Sequence, residues 1–311
     1  MRVLITGGAG FIGSNLMWTL RTGDYEVGVI DDYSTGHFEN MHPAAWSRTL
    51  DITGPDLMAA VVEFAPDAVV HLAAQTSVPV SIVDPVRDRL VNVEGTRAVA
   101  RAAAAVGARR MLSASSAAVY GEPEMVPLVE TAAKRPENPY GRSKLEAESV
   151  LAGELRGTET DFASLRFSNV FGPRQDAQGE GGVVAIFASR MQAKETPILY
   201  GTGAQTRDFI YVGDVVSAIM CALDAPQPLA LDGPDGPAYN VSTGKELTID
   251  ELASALRLTT HYFGGIDRQP ARDGDIERSA LDPTKVQTAF GWQARAPFET
   301  ALGRTVGWFA R

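Results

Sequence analysis

A single cysteine, Cys221, leaves this 311-residue chain without an internal disulfide, so no cross-link contributes to its fold. It stands in the apolar stretch from Ala218 to Leu223 and reads as core filling. The four histidines are scattered and do not cluster with that thiol, which removes the ligand spacing of a metal site. Positive charge is also scarce: 28 Lys and Arg face 38 Asp and Glu, for a net charge of −10. That balance argues against nucleic acid or an anionic membrane as partner. An anionic ligand would need local arginines or helix N-termini working against the overall field. No apolar run approaches the ~18 residues of a membrane span, and no basic-then-apolar leader opens the sequence. The expectation is a soluble cytoplasmic protein.

With 45% apolar residues the chain can bury a large core, and its length suits one large domain or two coupled ones. Apolar runs alternate with helical spacing: strands at Val3–Ile5, Glu26–Ile30, Ala68–Leu72, Arg109–Ser113 and Asp161–Phe167. Helices are expected near Ile12–Leu20, Asp56–Phe64, Pro85–Val106 and Pro139–Leu155. Such alternation predicts an α/β fold, a Rossmann-type doubly wound parallel sheet. After Phe171-Gly172-Pro173 the pattern loosens into a smaller C-terminal α/β lobe. The expected division is a dinucleotide domain over 1–170, to which 206–238 returns, and a substrate lobe over 171–311. Thr248 and Glu251 have the spacing of a capping box at a helix start.

Thr6-Gly7-Gly8-Ala9-Gly10-Phe11-Ile12-Gly13 follows the first strand and opens the first helix. Glycines there permit a tight turn and close backbone approach to a pyrophosphate, while the helix N-terminus favours its charge. Asp31, about 20 residues on at the end of the second strand, can accept from the ribose hydroxyls and would repel a 2′-phosphate. NAD is therefore favoured over NADP, although Asp31-Asp32 would also serve an ordinary turn. Further on, Tyr140 and Lys144 stand at i and i+4 and share a helix face. A nearby ammonium lowers a phenol's pKa toward that of a usable base. The preceding strand ends in Ser113-Ala114-Ser115-Ser116 and offers a hydroxyl to share a proton, though bland strand-end serines would look the same.

These phrases, with His71-Leu72-Ala73-Ala74, Ser115 through Gly121, Asn138 through Lys144, Leu165 through Arg174 and Gln205 through Phe209, give the chain its likeness. Over nearly its whole length it resembles the extended short-chain dehydrogenase/reductases, most closely the UDP-glucose 4-epimerase branch. The resemblance implies a catalytic trio of Tyr140, Lys144 and Ser116. It implies an NAD site from Gly7, Gly10, Phe11, Ile12, Gly13, Asp31, Asp32, Ser34, Thr35, Gly36, Asp51, Ile52, Leu72, Ala73, Ala74, Asn92, Ser115 and Phe167, with Tyr140 and Lys144. For a UDP-sugar it implies Val78, Ser116, Tyr140, Ser168, Asn169, Val183, Ile198, Tyr200, Arg207 and Asp275. Asn169 and Arg207 would hold the diphosphate, Asp275 a ribose, and Ile198 and Tyr200 the uracil. The implied reaction inverts C4 of a UDP-hexose through a transient 4-keto sugar, in a homodimer joined through the helices at Pro85–Val106 and Pro139–Leu155.

Dehydratases of the superfamily carry an Asp-Glu pair after the catalytic Ser/Thr, where this chain has Ala117 and Ala118. Without an acid or base there, 4,6-dehydration is disfavoured. Ser168 and Ser279 stand where relatives carry larger residues, which suggests a roomier sugar pocket or ordinary drift. UDP-N-acetylhexosamine and UDP-glucuronate therefore stay open beside UDP-glucose, as do a decarboxylase or 4-keto reductase on the same scaffold.

Overall fold

One seven-stranded sheet, parallel throughout, organises the protein. The structure is a computed structural model describing residues 1–43, 45–177, 182–233, 235–271 and 276–310. The first six sheet strands are β1 (Arg2–Thr6), β2 (Glu26–Asp31), β3 (Trp46–Thr49), β4 (Ala68–His71), β5 (Arg110–Ser116) and β6 (Asp161–Phe167). Four short strands follow outside it: β7 (Asn169–Phe171), β8 (Ile198–Tyr200), β9 (Thr206–Arg207) and β10 (Phe209–Tyr211). The chain then returns as β11 (Ala238–Val241), giving the spatial order β11-β6-β5-β4-β1-β2-β3.

Near-continuous apolar strands are what a sheet covered on both faces requires. In β1, Val3 and Ile5 point to one side, against Leu16, Met17 and Leu20 of α1 (Phe11–Leu20), with Val215 and Ile219 of a later helix in the same core. Leu4 points to the other side, toward Val61 and Phe64 of α2 (Leu57–Phe64). The strand order reverses between β1 and β4, so the loops leaving these two strands open a crevice at the carboxyl edge. Ligands of doubly wound sheets bind in that crevice.

On the second face lie α3 (Val78–Val83), α4 (Pro85–Arg89), α5 (Gly95–Ala105) and α6 (Pro139–Leu155). The segment expected as one helix over Pro85–Val106 is interrupted by a wide π turn at Leu90–Glu94. That turn carries Asn92, whose side chain is tied to Gln75, Asp88 and Ser143 instead of facing solvent. Strand β5 runs to Ser116, three residues past the apolar run, because Ala114–Ser116 stay in register with Leu165–Phe167 of β6. Strand β3 was not legible: it is a polar edge strand, half-buried at Trp46 and exposed beyond.

The later chain forms α7 (Val183–Gln192), α8 (Val212–Asp224), α9 (Ile249–Thr260), α10 (Thr284–Phe290) and α11 (Phe298–Phe309). Helices α7, α9 and α11 enclose a second core of Val184, Phe187, Leu252, Leu256, Leu302 and Val306. Three more short strands, β12 (Leu247–Thr248), β13 (Asp267–Gln269) and β14 (Arg278–Ser279), complete small sheets with β8 and β9. The capping box forms as spaced: Thr248 Oγ1 accepts from the Glu251 N–H at 3.1 Å, and Glu251 Oε2 accepts from the Thr248 N–H at 2.8 Å. Among the described residues no helix is long and apolar enough to cross a membrane.

Candidate active site

The glycine turn is fixed by the crevice it lines. Gly7 has φ +73°, and a Cβ there would lie 2.6 Å from the Ala73 nitrogen, so the turn presses directly on the loop after β4. A Cβ on Gly13 would meet the Gly7 carbonyl oxygen at 2.2 Å, which explains the close seating of α1. Gly10 differs: its φ is ordinary and a Cβ would have only the Gly7 oxygen at 3.3 Å nearby. Packing makes little demand for glycine at that position, whereas a phosphate lying against the backbone would. Gly10 also caps α1 without a side chain, and no acidic residue occupies the first turn. The helix N-terminus is thus kept for an anion.

Asp31 ends β2 and is buried, with Oδ2 accepting from the Ala9 N–H (2.8 Å) and Oδ1 from the Tyr33 N–H (2.8 Å). Burial pushes its carboxyl pKa up, and those two N–H bonds oppose the shift. Asp32 is exposed and accepts from the backbone and hydroxyl of Ser34. Ser34 and Thr35 are exposed, and Gly36 packs against Asp31 and Ala9. Leu72, Ala73 and Ala74 line the facing loop, half-buried. His71 anchors that loop from below, between Thr6 Oγ1 (2.7 Å) and Thr96 Oγ1 (3.1 Å). Burial, and then the Lys144 charge, push the His71 pKa down to about 3, so the imidazole is neutral.

The start of α6 is set by three local devices. Asn138 Oδ1 accepts from the Gly141 N–H (2.9 Å), and Pro139 needs no amide partner at the first helical position. A Cβ on Gly141 would lie 2.5 Å from the Ala118 carbonyl oxygen, so glycine lets the helix rest on the single turn Ala117–Val119. Ser116 caps that turn, its Oγ accepting from the Ala118 N–H at 3.1 Å. The result places the Ser116 hydroxyl beside the Tyr140 phenol. One helical turn on, the buried Lys144 donates from Nζ to the Ala114 carbonyl (3.0 Å).

The charge balance differs from the simple expectation of an ammonium pulling a phenol down. Burial raises the Tyr140 pKa above its ordinary value, Ser116 pulls it back, and the Asp88 charge raises it again. Lys144 is pushed down to about 8 by burial, against the opposing pull of Asp88 and Glu148. Lys144 is drawn to the strand carbonyl, which leaves the serine as the phenol's polar partner.

Several residues expected at the cofactor turn their side chains elsewhere. Asn92 uses its amide on Gln75, Asp88 and Ser143. Ser115 donates to Glu148 Oε1 (2.5 Å). Ile52 and Phe167 are buried in the two sheet cores, and Asp51 is exposed, accepting from the N–H and hydroxyl of Thr53. In the lobe, Asn169 is exposed and its N–H donates to the Asp208 carbonyl (2.9 Å), bringing it beside Arg207. Arg207 pairs in register with Ser279 and sends Nη1 to the Thr206 carbonyl (2.8 Å). Ser168 faces Asp208 Oδ1 (3.3 Å), a carboxylate also bound by Thr243 and Gly244. Ile198 and Tyr200 lie half-buried on β8, Val183 opens α7 and Val78 opens α3. Asp275 lies outside the described residues.

A sequence model of the NAD-dependent epimerase/dehydratase family matches residues 3–242. The chain belongs to that family. Its cofactor is NAD, and the room above Gly10, the uncapped start of α1 and Asp31 fit that group. Among its relatives, a UDP-glucose 4-epimerase of Mycolicibacterium smegmatis is 38% identical over 317 residues, covering 99% of this chain and 98% of that protein. The UDP-glucose 4-epimerase of Thermotoga maritima, solved with UDP-glucose, superposes with a TM-score of 0.93 at 35% identity, covering 99% of this chain and 98% of the other. A UDP-N-acetylglucosamine 4-epimerase from Methanobrevibacter ruminantium, solved with UDP-N-acetylmuramic acid, gives 0.92 at 32% identity, covering 99% and 97%.

Set in this family, four side chains at the site were given no role by the motif reading. Ser81 on α3 accepts from the Tyr140 N–H (3.1 Å). His71 and Asp88 reach the site only through the fold. Glu148 carried a signal, since it continues the Tyr140–Lys144 face by one more turn.

Proposed function

We propose that the protein is a UDP-hexose 4-epimerase, acting on the UDP-glucose/UDP-galactose pair. The observation that carries this reading is the Tyr140 helix seated through Gly141 on the turn that Ser116 caps, with the uncharged Ala117 and Ala118 following Ser116. A proton can move there to and from a sugar hydroxyl, but the two positions after Ser116 offer no carboxylate to remove water. When bound, NAD supplies the hydride acceptor and donor, together with a positive ring charge that favours the phenolate. Tyr140 takes the proton from the 4-hydroxyl and later returns it. Ser116, its Oγ already accepting from Ala118, has its own proton free to steady that oxygen. Asn169 and Arg207 anchor the diphosphate, Arg207 as a fork-shaped cation in an acidic protein. Anchoring the nucleotide leaves the sugar able to turn its other face, which inverts C4.

A second reading, the N-acetylhexosamine or hexuronate series, rests on Ser279, a small hydroxyl residue in register with Arg207. Purified protein incubated separately with UDP-glucose, UDP-N-acetylglucosamine and UDP-glucuronate, followed by proton NMR, decides between them. Inversion is expected with UDP-glucose first. Net formation or net consumption of NADH with any of the three would sink the epimerase reading in favour of a net oxidoreductase.

We further propose that the protein works as a homodimer through α4 and α6. Val83 at the end of α3, Val86 on α4 and Leu90 at the start of the π turn are 86%, 77% and 48% exposed, an apolar group of the kind that marks an interface. Beside it, Arg89 pairs with Glu146, and Glu154 with Arg97 and Arg101, tying α4 and α5 to α6. Leu90→Glu is expected to halve the mass measured by light scattering. A parent protein that already runs as a monomer at micromolar concentration would remove the proposal.

A further inference from the structure

Asp88 lies on α4 and is 1% exposed. Its Oδ1 accepts from Gln75 Nε2 (2.7 Å) and Asn92 Nδ2 (3.2 Å). The same Asn92 amide donates to Ser143 Oγ (3.0 Å), and Ser143 donates to the Tyr140 carbonyl (3.0 Å). A polar chain thus runs from Asp88 to the helix that carries the catalytic pair. Its Oδ2 is sealed from solvent and has no hydrogen-bond partner among the described residues. A carboxylate so placed is costly unless a nearby cation balances it.

Few charges are available to do so. The titratable groups facing Tyr140 and Lys144 are Asp88 from α4, Glu148 from α6 and His71 from β4. His71 is neutral. Glu148 is matched by Arg166, which donates to it from Nε and Nη2 (2.9 and 2.6 Å). On the Asp88 helix, Arg89 is engaged with Glu94 and Glu146. Asp88 and Ser143 share the Asn92 amide, and the residue after Ser143 is Lys144, whose buried ammonium is the cation the hydrogen-bond chain brings nearest to Asp88.

We propose that Asp88 is a positioning residue for the Tyr140–Lys144 pair, a fixed buried anion that balances the ammonium and sets the pH range in which both groups work. This rests on the reading that those two groups carry the proton transfer. The sign of the effect is distinctive. A negative charge favours the protonated form of a phenol and of an amine alike, and Asp88 raises both. Removing it lets Tyr140 lose its proton at lower pH and Lys144 likewise.

In the holoenzyme, Asp88→Asn keeps the oxygen that Gln75 and Asn92 bind and removes only the charge. Both limbs of the kcat/KM pH profile are expected to move to lower pH together, by about one pH unit. A merely structural residue would lower the height and leave the limbs in place. Limbs that stay put, or that move apart, overturn the proposal. A second readout does not depend on turnover: the 13Cζ resonance of Tyr140, assigned by its loss in Tyr140→Phe, should titrate at lower pH in the variant. If that midpoint moves but no UDP-sugar is inverted, the functional reading fails and the Asp88 role stands. If sugars are inverted and the midpoint is unmoved, the Asp88 role fails. Should Asp88→Asn not accumulate as folded protein, Asp88→Ser carries the same two measurements.

Discussion

Tyr140→Phe is expected to lower kcat by about 10³-fold or more while leaving the NAD content of the purified protein unchanged. The substitution keeps the ring and removes one oxygen. No neighbouring group can replace that oxygen as base. Ser116 is an aliphatic hydroxyl whose Oγ already accepts from the Ala118 N–H, and the Lys144 ammonium is directed to the Ala114 carbonyl. His71 is held neutral but is buried between two threonines, out of line with the substrate side. On our reading most of the cofactor bed lies across the crevice, in the Gly7–Gly13 turn and at Asp31, and stays in place when one phenol oxygen is lost. Initial rates with UDP-glucose, and NAD released by acid and quantified by absorbance, check the two halves separately. A variant within about tenfold of the parent rate would remove Tyr140 as the base, because acid–base groups of this kind contribute 10²–10⁴.

What was legible in the sequence was whatever local spacing encodes. Gly7 and Gly13 follow from a turn that must approach a neighbouring loop and helix, and Thr248 with Glu251 from a reciprocal cap. Tyr140 and Lys144 follow from helical periodicity, and their helix was bounded correctly because Pro139 and Asn138 mark its start. Less could be said wherever a side chain's partner lies far along the chain. Asn92 was placed by its motif at the cofactor, but the wide turn at Leu90–Glu94 ties it to Gln75 and Ser143. Ser115 was placed at the cofactor and Ser116 at the reacting hydroxyl; the Ser115 hydroxyl is taken by Glu148, while Ser116 caps the turn beside Tyr140. Ser168 suggested a roomier sugar pocket or ordinary drift, and its hydroxyl faces Asp208, a partner forty residues on. Asp88 had no signal at all: an acid in a solvent-facing pattern became a buried charge only once α3, α4 and α6 packed together.

Glu148→Ala carries the largest expected effect on stability, because it strips a buried cation. Arg166 is 1% exposed and is held by Glu148 through two bonds, by Asp235 Oδ1 (3.1 Å), and by contacts to the Tyr120 hydroxyl (2.9 Å) and the Glu130 carbonyl (3.0 Å). Breaking one side of a buried pair costs about 3–5 kcal/mol, and the remaining Asp235 keeps the loss near the lower end of that range. At about 2 °C per kcal/mol for a chain of this size, the melting temperature should fall by about 6 °C. Activity should fall as well, for a geometric reason. Glu148 also accepts from Ser115, so it staples α6 onto β5 one residue from Ser116 and one turn from Lys144. Loosening that staple lets the phenol and the serine drift apart, which lowers kcat more than it raises KM. Glu148→Gln separates the two contributions: its amide oxygen can still accept from Ser115, while the full charge opposite Arg166 is gone. Glutamine should therefore recover most of the rate but little of the melting temperature. If alanine melts within about 1 °C of the parent, the Arg166 network is not what holds α6 in place, and the helix owes its position to its other ties, among them Gly141 on the Ala117–Val119 turn, the Ser81 contact and the Arg89–Glu146 pair.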